Sequence, residues 1–393
     1  MLEAVIAGVG MTVFGKHQDR GVRSLSLEAA TAALGDAGAS MQDVDVVFFA
    51  NAAGGLLTGQ EMIRGQASLR GIGLAGKPVV NVENACASGS TAVHMACLAI
   101  ESGRYDSVLV VGAEKMIHPD KAVTFRALAA GVDLEEATED EATTMNVGSG
   151  SRFMDIYAAK ARQYMEATGA TALDFASVSM KSRAAAALNP NAQFRTLVTI
   201  DEVLASRSIA DPLTMLMCAP NGDGAAALVI TSDRRARALG AKTVRIRASS
   251  LVSAKDSSEP AGAVERAAKR ACEQAGIGPS DVHVAEVHDA AAPAELFLYE
   301  AIGFCSKFEG AALLRSGATG LDGRISVNPS GGLLSRGHPI GATGCAQLVE
   351  LTQQLRERSG VRQRRNAKVA LAQNAGGQQG HDEAAAVVTI LST

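Results

Sequence analysis

Residues 29–47 read AATAALGDAGASMQDVDVV, and residues 267–285 read AAKRACEQAGIGPSDVHVA. At one fixed offset Ala29 meets Ala267, Gly38 meets Gly276, Asp43 meets Asp281, Val44 meets Val282 and Val46 meets Val284. Each copy reads as an Ala-rich helix stopped by glycine, a short polar loop and an alternating strand. A second echo, GDGAAALVI (222–230) against DEAAAVVTI (382–390), reads as the apolar strand that closes each copy. The chain therefore contains one unit twice, over residues 1–245 and 246–393. RRARALGAKTVRIRASS (234–250) carries the link and the first strand of the second half.

The first half is longer by a segment of roughly residues 116–205, rich in Met, Ala and charge. A structureless loop of that length is improbable in a folded domain. It reads as an inserted helical domain lying over a site. Strands alternate with helical patterns in both halves, which predicts α/β layers with mostly parallel sheets and ligands beyond the carboxyl ends of the strands.

The bulk properties narrow the function. The net charge of −4 gives no general attraction to nucleic acid or to an anionic membrane. The arginines at 356, 358, 362, 364 and 365 read as a solvated helix end and loop. No apolar run is long enough to span a bilayer. MLEAVIAGVGMTVFG at the start reads as a strand rather than a signal peptide. The 40 glycines and the scarcity of aromatics, 4% with no Trp, favour close helix-on-sheet packing. The six cysteines show neither CxxC nor metal-ligand spacing, so no metal is expected. Free thiols in a reducing compartment, the cytoplasm, are expected.

NVENACASGS (81–90) places Cys86 where the strand KPVVNVEN (77–84) turns into the helix ASGSTAVHMACLAIESGRY (87–105). Helix N–H groups and the positive end of the dipole favour a thiolate there. The small residues Ala85, Ala87, Ser88 and Gly89 leave room for a substrate. Cys97, Cys218, Cys272 and Cys345 read as core. In VNPSGGLLSRGHPIGATG (327–344), Gly331, Gly332, Gly337, Gly341 and Gly344 allow close backbone approach before a helix begins, and His338 projects from that turn. A neutral imidazole beside a thiol takes its proton. EVHDAAAPAE (286–295) offers His288 as a donor to a developing oxyanion, and the repeat offset matches Asp289 to Asn51. ALAQNAGGQQGHDE (370–383) is a strand entering a Gly-rich loop. Its backbone N–H groups could complete an oxyanion hole, and Asn374 could position a water or a carbonyl. A Cys–His pair with Gly-rich rims points to acyl transfer through a thioester.

NACASGSTAV, GGLLSRGHPIGATG and the terminal Gly-rich loop resemble the three signature regions of the thiolase superfamily. HDAAAPAE, LNPNAQFR (188–195), DPLTMLMCAPNGDGAAA (211–227) and QNAGG (373–377) resemble its sterol-carrier-protein-type branch. The resemblance implies the thiolase fold: two βαβαβαββ halves layered α-β-α-β-α with an inserted loop domain. It implies that Cys86 carries the acyl group, that His338 activates it, and that His288 stabilises an enolate or thioester oxygen. The N–H groups of Cys86 and of a glycine near Gly377 would hold the tetrahedral oxyanion. CoA, a co-substrate rather than a resident cofactor, would lie against the loop domain, and a homodimer or tetramer is implied.

Two positions depart from the family. The second, acid/base cysteine falls either at the start of the terminal Gly-rich motif, here Asn374, or after His-Asp, here Ala290. Such a proton transfer contributes on the order of 10²–10⁴ in rate. Three readings stay open. In the first, thiolytic cleavage of a 3-oxoacyl-CoA persists on a bulky or branched acyl group, with a histidine or a water serving the carbanion. In the second, a lyase cleaves the carbon–carbon bond by a retro-aldol step. In the third, the chain is a CoA-binding scaffold. The missing thiols also resemble those of branch members that work beside a small zinc-ribbon/OB-fold subunit. An arylsuccinate-type substrate such as a benzoylsuccinyl-CoA suits the bulky version.

Overall fold

Ten strands of the computed structural model, which describes residues 3–74, 76–135, 151–255 and 261–393, form one mixed sheet. In the first half these are β1 (Ala4–Met11), β2 (Val46–Ala50), β3 (Val79–Val82), β4 (Ser107–Lys115) and β7 (Asp223–Ser232). A separate small hairpin consists of β5 (Ser208–Ala210) and β6 (Leu213–Thr214). The second half supplies β8 (Val244–Ser253), β9 (Val284–Glu286), β10 (Ser326–Val327), β11 (Val369–Gln379) and β12 (Asp382–Ser392). The strand order β3-β2-β4-β7-β1 recurs as β10-β9-β11-β12-β8. The two arrays meet edge to edge, Val5 opposite Arg245 and Ile6 opposite Val244.

The sheet differs from the mostly parallel one predicted. In each half the two pairings made by the strand after the first helix are parallel, and the two made by the closing strand are antiparallel. In the second half only Gly380 and His381 separate β11 from β12, and so short a hairpin sets the two strands antiparallel.

Five layers follow from which faces are apolar. The helix Val22–Asp36 covers β1 and β7 from outside, and Ala263–Ala275 covers β8 and β12. Between the half-sheets lie the helices Ser88–Glu101 and Ile340–Leu355, packed on one another. Every residue of the second except Gln353 is buried, the polar side chains of Gln347, Glu350 and Gln354 included. Strands covered on both faces lose the alternating pattern, and all of VVFFA in β2 is buried.

Between β4 and β7 the described residues form the helices Lys121–Ala129, Arg152–Thr168, Ala172–Ala187 and Ile200–Ala205. Residues 136–150, part of the predicted insertion, lie outside the described residues. β8 begins at Val244, so the half boundary drawn at 245/246 falls inside a strand.

The arginine cluster is only in part the solvated end expected: Arg358 and Arg365 are exposed, whereas Arg356 and Arg362 are drawn inward. Arg356 is 2% exposed, paired with Asp36 at 2.5 Å and donating to the carbonyls of Ile6 and Ala7 at 3.2 and 2.9 Å. Arg362 pairs with the buried Glu350 at 2.9 Å. A guanidinium carries enough donors to be buried where carbonyls and carboxylates converge. Among the described residues, no helix is long and apolar enough to cross a membrane.

Candidate active site

After β3 the chain makes a single tight turn, Ala85–Ala87, and enters the helix Ser88–Glu101. Ala85 adopts φ 46°, a strained conformation for a residue with a side chain. Ser88 holds the turn: its hydroxyl accepts from the N–H of Asn84 at 2.9 Å and donates to the carbonyl of Ala85 at 2.6 Å. Cys86 sits on this turn, partly buried because it borders a cavity.

His338 follows a π-helical turn, Gly332–Arg336, and precedes the helix Ile340–Leu355. Gly331 and Gly332 have positive φ, and a Cβ on Gly332 would lie 2.2 Å from the carboxylate of Asp289. Gly341 and Gly344 fall inside the helix rather than before it, because they face the other central helix and its surroundings. A Cβ on Gly344 would stand 2.4 Å from the N of Ser90.

The LNPNAQFR stretch clamps the π-turn. Gln193 and Phe194 donate backbone N–H bonds to the carbonyls of Arg336 and Ser335 at 3.0 Å each, and the Asn189 amide donates to Ser330 at 2.8 Å. Beneath it Glu286 and Arg336 form an ion pair at 2.9 Å, with neither side chain more than 1% exposed. Glu114 fastens the start of the helix. Its carboxylate accepts from the N–H of Gly341 at 3.1 Å, the N–H of Ala52 at 2.9 Å and the amide of Asn51 at 2.7 Å.

His288 follows β9 and is buried, its backbone N–H donating to Gln373 Oε1 at 2.9 Å. The structure brings the Cys86 sulfur and a ring nitrogen of each of His288 and His338 within 4.8 Å of one another. The rings of His288 and His338 meet edge to face, with centroids 5.1 Å apart. His338 Nδ1 lies 2.7 Å from the Thr343 hydroxyl, which also reaches the carbonyl of Pro339 at 3.0 Å. Given to that carbonyl, the hydroxyl proton leaves the oxygen free to accept from Nδ1–H, so Nε2 bears the lone pair.

Asn374 stands one step back. Its amide meets His288 Nδ1 at 2.8 Å and the Ser90 hydroxyl at 2.7 Å, and it is not part of the cavity wall. Gly377, with φ +67°, and Gly376 do line the cavity. Asp289 is buried, with one oxygen accepting from the N–H of Leu333 at 2.7 Å. It supports the turn rather than facing substrate, as Asn51 does in the other half.

The electrostatics differ from the predicted thiolate. Burial, reinforced by the Glu114 carboxylate, pushes the Cys86 thiol up to about 12. Desolvation outweighs the helix end because the turn is enclosed by both halves. Burial also lowers the His288 imidazole to about 4. It sets His338 well below its usual value, with the charges of His288 and Arg336 acting in the same direction. The resting site is thus a neutral thiol between two neutral imidazoles.

The cavity measures about 690 Å³, and Phe125, Phe153, Met154 and Tyr157 are among the apolar and aromatic side chains that line it. Lys16, Lys121, Arg183 and Arg207 also line it. A second cavity of about 560 Å³ shares His288, Tyr157, Lys160, Ala375 and Glu383 with the first, so the two meet at a histidine of the cluster. Ala290 lines the first cavity, and so does Cys218, which was expected in the core. The segment around Cys218 is drawn there by Ala219, whose N–H bonds the carbonyl of Ala290 at 3.0 Å. All six cysteines are free. Ser90 and Thr343, the two hydroxyls that orient the histidines, escaped the sequence reading, although both lie inside the quoted motifs.

The family description "Thiolase, N-terminal domain" matches residues 4–234, and "Thiolase C-terminal domain-like" matches residues 245–393. Sterol carrier protein 2 from Bos taurus is 36% identical over 94% of this chain and 69% of its own length. The benzoylsuccinyl-CoA thiolase subunit BbsB of Thauera aromatica is 36% identical over 89% of this chain and 88% of its own. An acetyl-CoA acetyltransferase of Methanothermobacter thermautotrophicus is 36% identical over 97% and 98%. Among solved structures, the Ltp2–ChsH2(DUF35) aldolase superposes with a TM-score of 0.79 at 26% identity, covering 98% of this chain and 97% of that one. A monomeric SCP2-thiolase-like protein from Mycobacterium smegmatis gives 0.72 at 20% identity, over 99% and 77%, a likeness of fold.

Proposed function

The chain belongs to the thiolase superfamily, in its sterol-carrier-protein-type branch, and from that premise we propose that it makes or breaks the carbon–carbon bond beside a CoA thioester, as one component of an assembly completed by a small zinc-ribbon/OB-fold subunit. One observation carries this reading: the Cys86–His288–His338 cluster is intact, while Ala290 and Asn374 fill both positions that the resemblance assigns to a second thiol. Two relatives support the partner. The superposed aldolase includes a DUF35 protein, and BbsB is named as a subunit. CoA is the co-substrate. The cations lining the first cavity suit its phosphates, and the apolar wall suits the pantetheine arm. The second cavity opening at His288 gives room for a bulky acyl group. A homodimer fits the outer strand β3, which among the described residues pairs only with β2 and leaves Val80 43% exposed.

Two routes fit the pocket. In the aldol route a neutral imidazole takes the proton of a 3-hydroxyl, the C2–C3 bond breaks, and the electron pair passes to the thioester enolate, which is then protonated at C2. Cys86 has no covalent part, in keeping with a thiol held protonated. In the thiolytic route His338 Nε2 takes the Cys86 proton as sulfur attacks the 3-carbonyl. The C2–C3 pair again leaves as the thioester enolate, His338 returns the proton to C2, and CoA then takes the acyl group from sulfur. The sulfur–imidazole proximity fits this second route, while the likeness to the superposed aldolase supports the first.

Intact-mass measurement with panels of 3-oxoacyl-CoA and 3-hydroxyacyl-CoA compounds, with and without the small subunit, separates the readings. An acyl mass on Cys86 establishes the thiolytic route. Turnover retained by Cys86→Ala establishes the aldol route. Full activity of the lone chain removes the partner, and no turnover with the partner leaves a scaffold.

A further inference from the structure

The buried amide of Asn374 connects two groups that face it from different halves of the molecule. On one side Ser90 Oγ lies 2.7 Å from Oδ1, and on the other Nδ2 lies 2.8 Å from His288 Nδ1. Asn374 is 1% exposed and Ser90 4%, so water does not compete for either contact. A carbonyl oxygen only accepts and an amide nitrogen only donates. The Ser90 hydroxyl also lies 3.0 Å from the carbonyl of Ala87, but its shorter contact is to Asn374. With Oδ1 taking the Ser90 proton there, Nδ2–H points at His288, and the ring nitrogen it meets carries a lone pair.

We propose that Asn374, aimed by Ser90, is a positioning residue that fixes His288 as the Nε2–H tautomer, so that His288 presents a hydrogen-bond donor to the cavity and not a base. The ring is neutral in this buried setting, so the choice of tautomer decides its chemistry. His338 has the opposite arrangement, with Thr343 on Nδ1 and Nε2 free to accept. Two neutral imidazoles 5.1 Å apart thereby divide the work. Nε2 of His338 accepts a proton, and Nε2–H of His288 donates to the thioester oxygen as it becomes an enolate.

This assigns a purpose to the residue that stands where the family carries a thiol. A donor tautomer at His288 cannot take over proton abstraction at the α-carbon, since its cavity-facing Nε2 has no lone pair to accept with, and it cannot deliver a proton to C2 either, since losing Nε2–H would leave an imidazolate. The proton that reaches C2 must come from His338 or from a group brought by a partner. The inference rests on the pocket reading above, but the enolate is common to both routes, so it holds for either.

The test reads protons in the free protein and needs no turnover. Two-bond 15N–1H correlation spectra of histidine-labelled, deuterated protein report which ring nitrogen is protonated, and His288→Gln identifies the His288 signals by their loss. A protonated Nε2 with an unprotonated Nδ1 is expected. Asn374→Asp, whose carboxylate can only accept, should move the proton to Nδ1. Ser90→Ala should give a mixture of tautomers, and Ser90→Thr, which keeps the hydroxyl, should restore the original pattern. A wild-type His288 protonated at Nδ1, or an unchanged pattern in both Asn374→Asp and Ser90→Ala, overturns the proposal. The wild-type spectrum decides even where a variant fails to fold. Failure of the catalytic reading would show separately, as absent turnover with the Nε2–H signal intact.

Discussion

The imidazole of His288 meets that of His338 edge to face at 86°, a contact made within the second half, between the loop that follows β9 and the turn that precedes the helix Ile340–Leu355. Both rings are neutral in the fold, His288 lowered to about 4 by burial. A histidine depressed in the fold binds fewer protons there than in the unfolded chain, where its value is about 6.5. Its stabilising contribution is complete above that value and is lost as the pH falls toward 4. His288 alone accounts for about 3 kcal/mol at most. Denaturant unfolding between pH 7 and 4 should therefore show a loss that His288→Gln diminishes. An equal slope in the variant would place the acid sensitivity elsewhere.

Thiol labelling should reach three partly buried cysteines, Cys305 and the two that border the cavity. Cys86 and Cys218 line it, whereas Cys97 and Cys345 are buried in the core. With the Cys86 thiol pushed up to about 12, iodoacetamide should react slowly at neutral pH and speed up about tenfold per pH unit where free thiolate is the reacting species. His338→Ala should lower the neutral rate by removing the base. Peptide mapping that finds equal Cys86 labelling in this variant and the wild type would show that His338 does not activate the sulfur.

Gly376 carries the closest approach of the terminal loop to the nucleophile turn. A Cβ there would lie 2.2 Å from the carbonyl of Asn84, 2.5 Å from the N of Ala87 and 2.9 Å from the N of Cys86. All three neighbours are backbone and cannot rotate away. Gly376→Ala should cost about 2–3 kcal/mol and displace the Cys86 N–H. Retained stability with retained substrate turnover would mean that the strand gives way freely.

The Glu286–Arg336 pair should behave as a support for the turn that carries His338. Both side chains are buried, and the Nε and Nη2 of Arg336 have no hydrogen-bond partner among the described residues. Removing one partner of such a pair costs about 3–5 kcal/mol, because the other charge is left uncompensated. Glu286→Gln should lose that much in denaturant unfolding, and Glu286→Gln combined with Arg336→Met should recover part of it. A double variant no better than the single one would assign the cost to packing instead of charge.

Much of this site was legible because close backbone approach leaves glycine in the sequence. Cys86, His338 and His288 each sit in a short motif with small neighbours, and the fold brings all three together. The repeat gave the duplicated architecture, since a helix, a loop and a strand leave their periods in each copy. What stayed hidden is contact between segments with no shared period. Ser90 and Asn374 are separated by 284 positions and meet through the packing of the halves. Arg356 looks like a surface residue until Asp36 and two carbonyls of β1 are found around it. The sign of the thiol shift was missed for a similar reason: a helix end is visible in sequence, while the enclosure that outweighs it is not.

Restoring a thiol tests whether the pocket kept the geometry of its relatives. Ala290 lines the cavity beside His288, is 8% exposed, and is anchored through its carbonyl to the N–H of Ala219. A cysteine there adds one sulfur at a position that faces open space. If only the acid/base group is missing, Ala290→Cys should raise condensation or α-proton exchange with a short acyl-CoA, by up to on the order of 10² where proton transfer limits the rate. Exchange of the α-hydrogens for deuterium, followed by mass spectrometry, reads this without any partner. A variant that folds, reacts with iodoacetamide at the new thiol and yet shows no exchange would mean that the acyl group lies elsewhere, and that the enolate forms against His288 from the side of the second cavity.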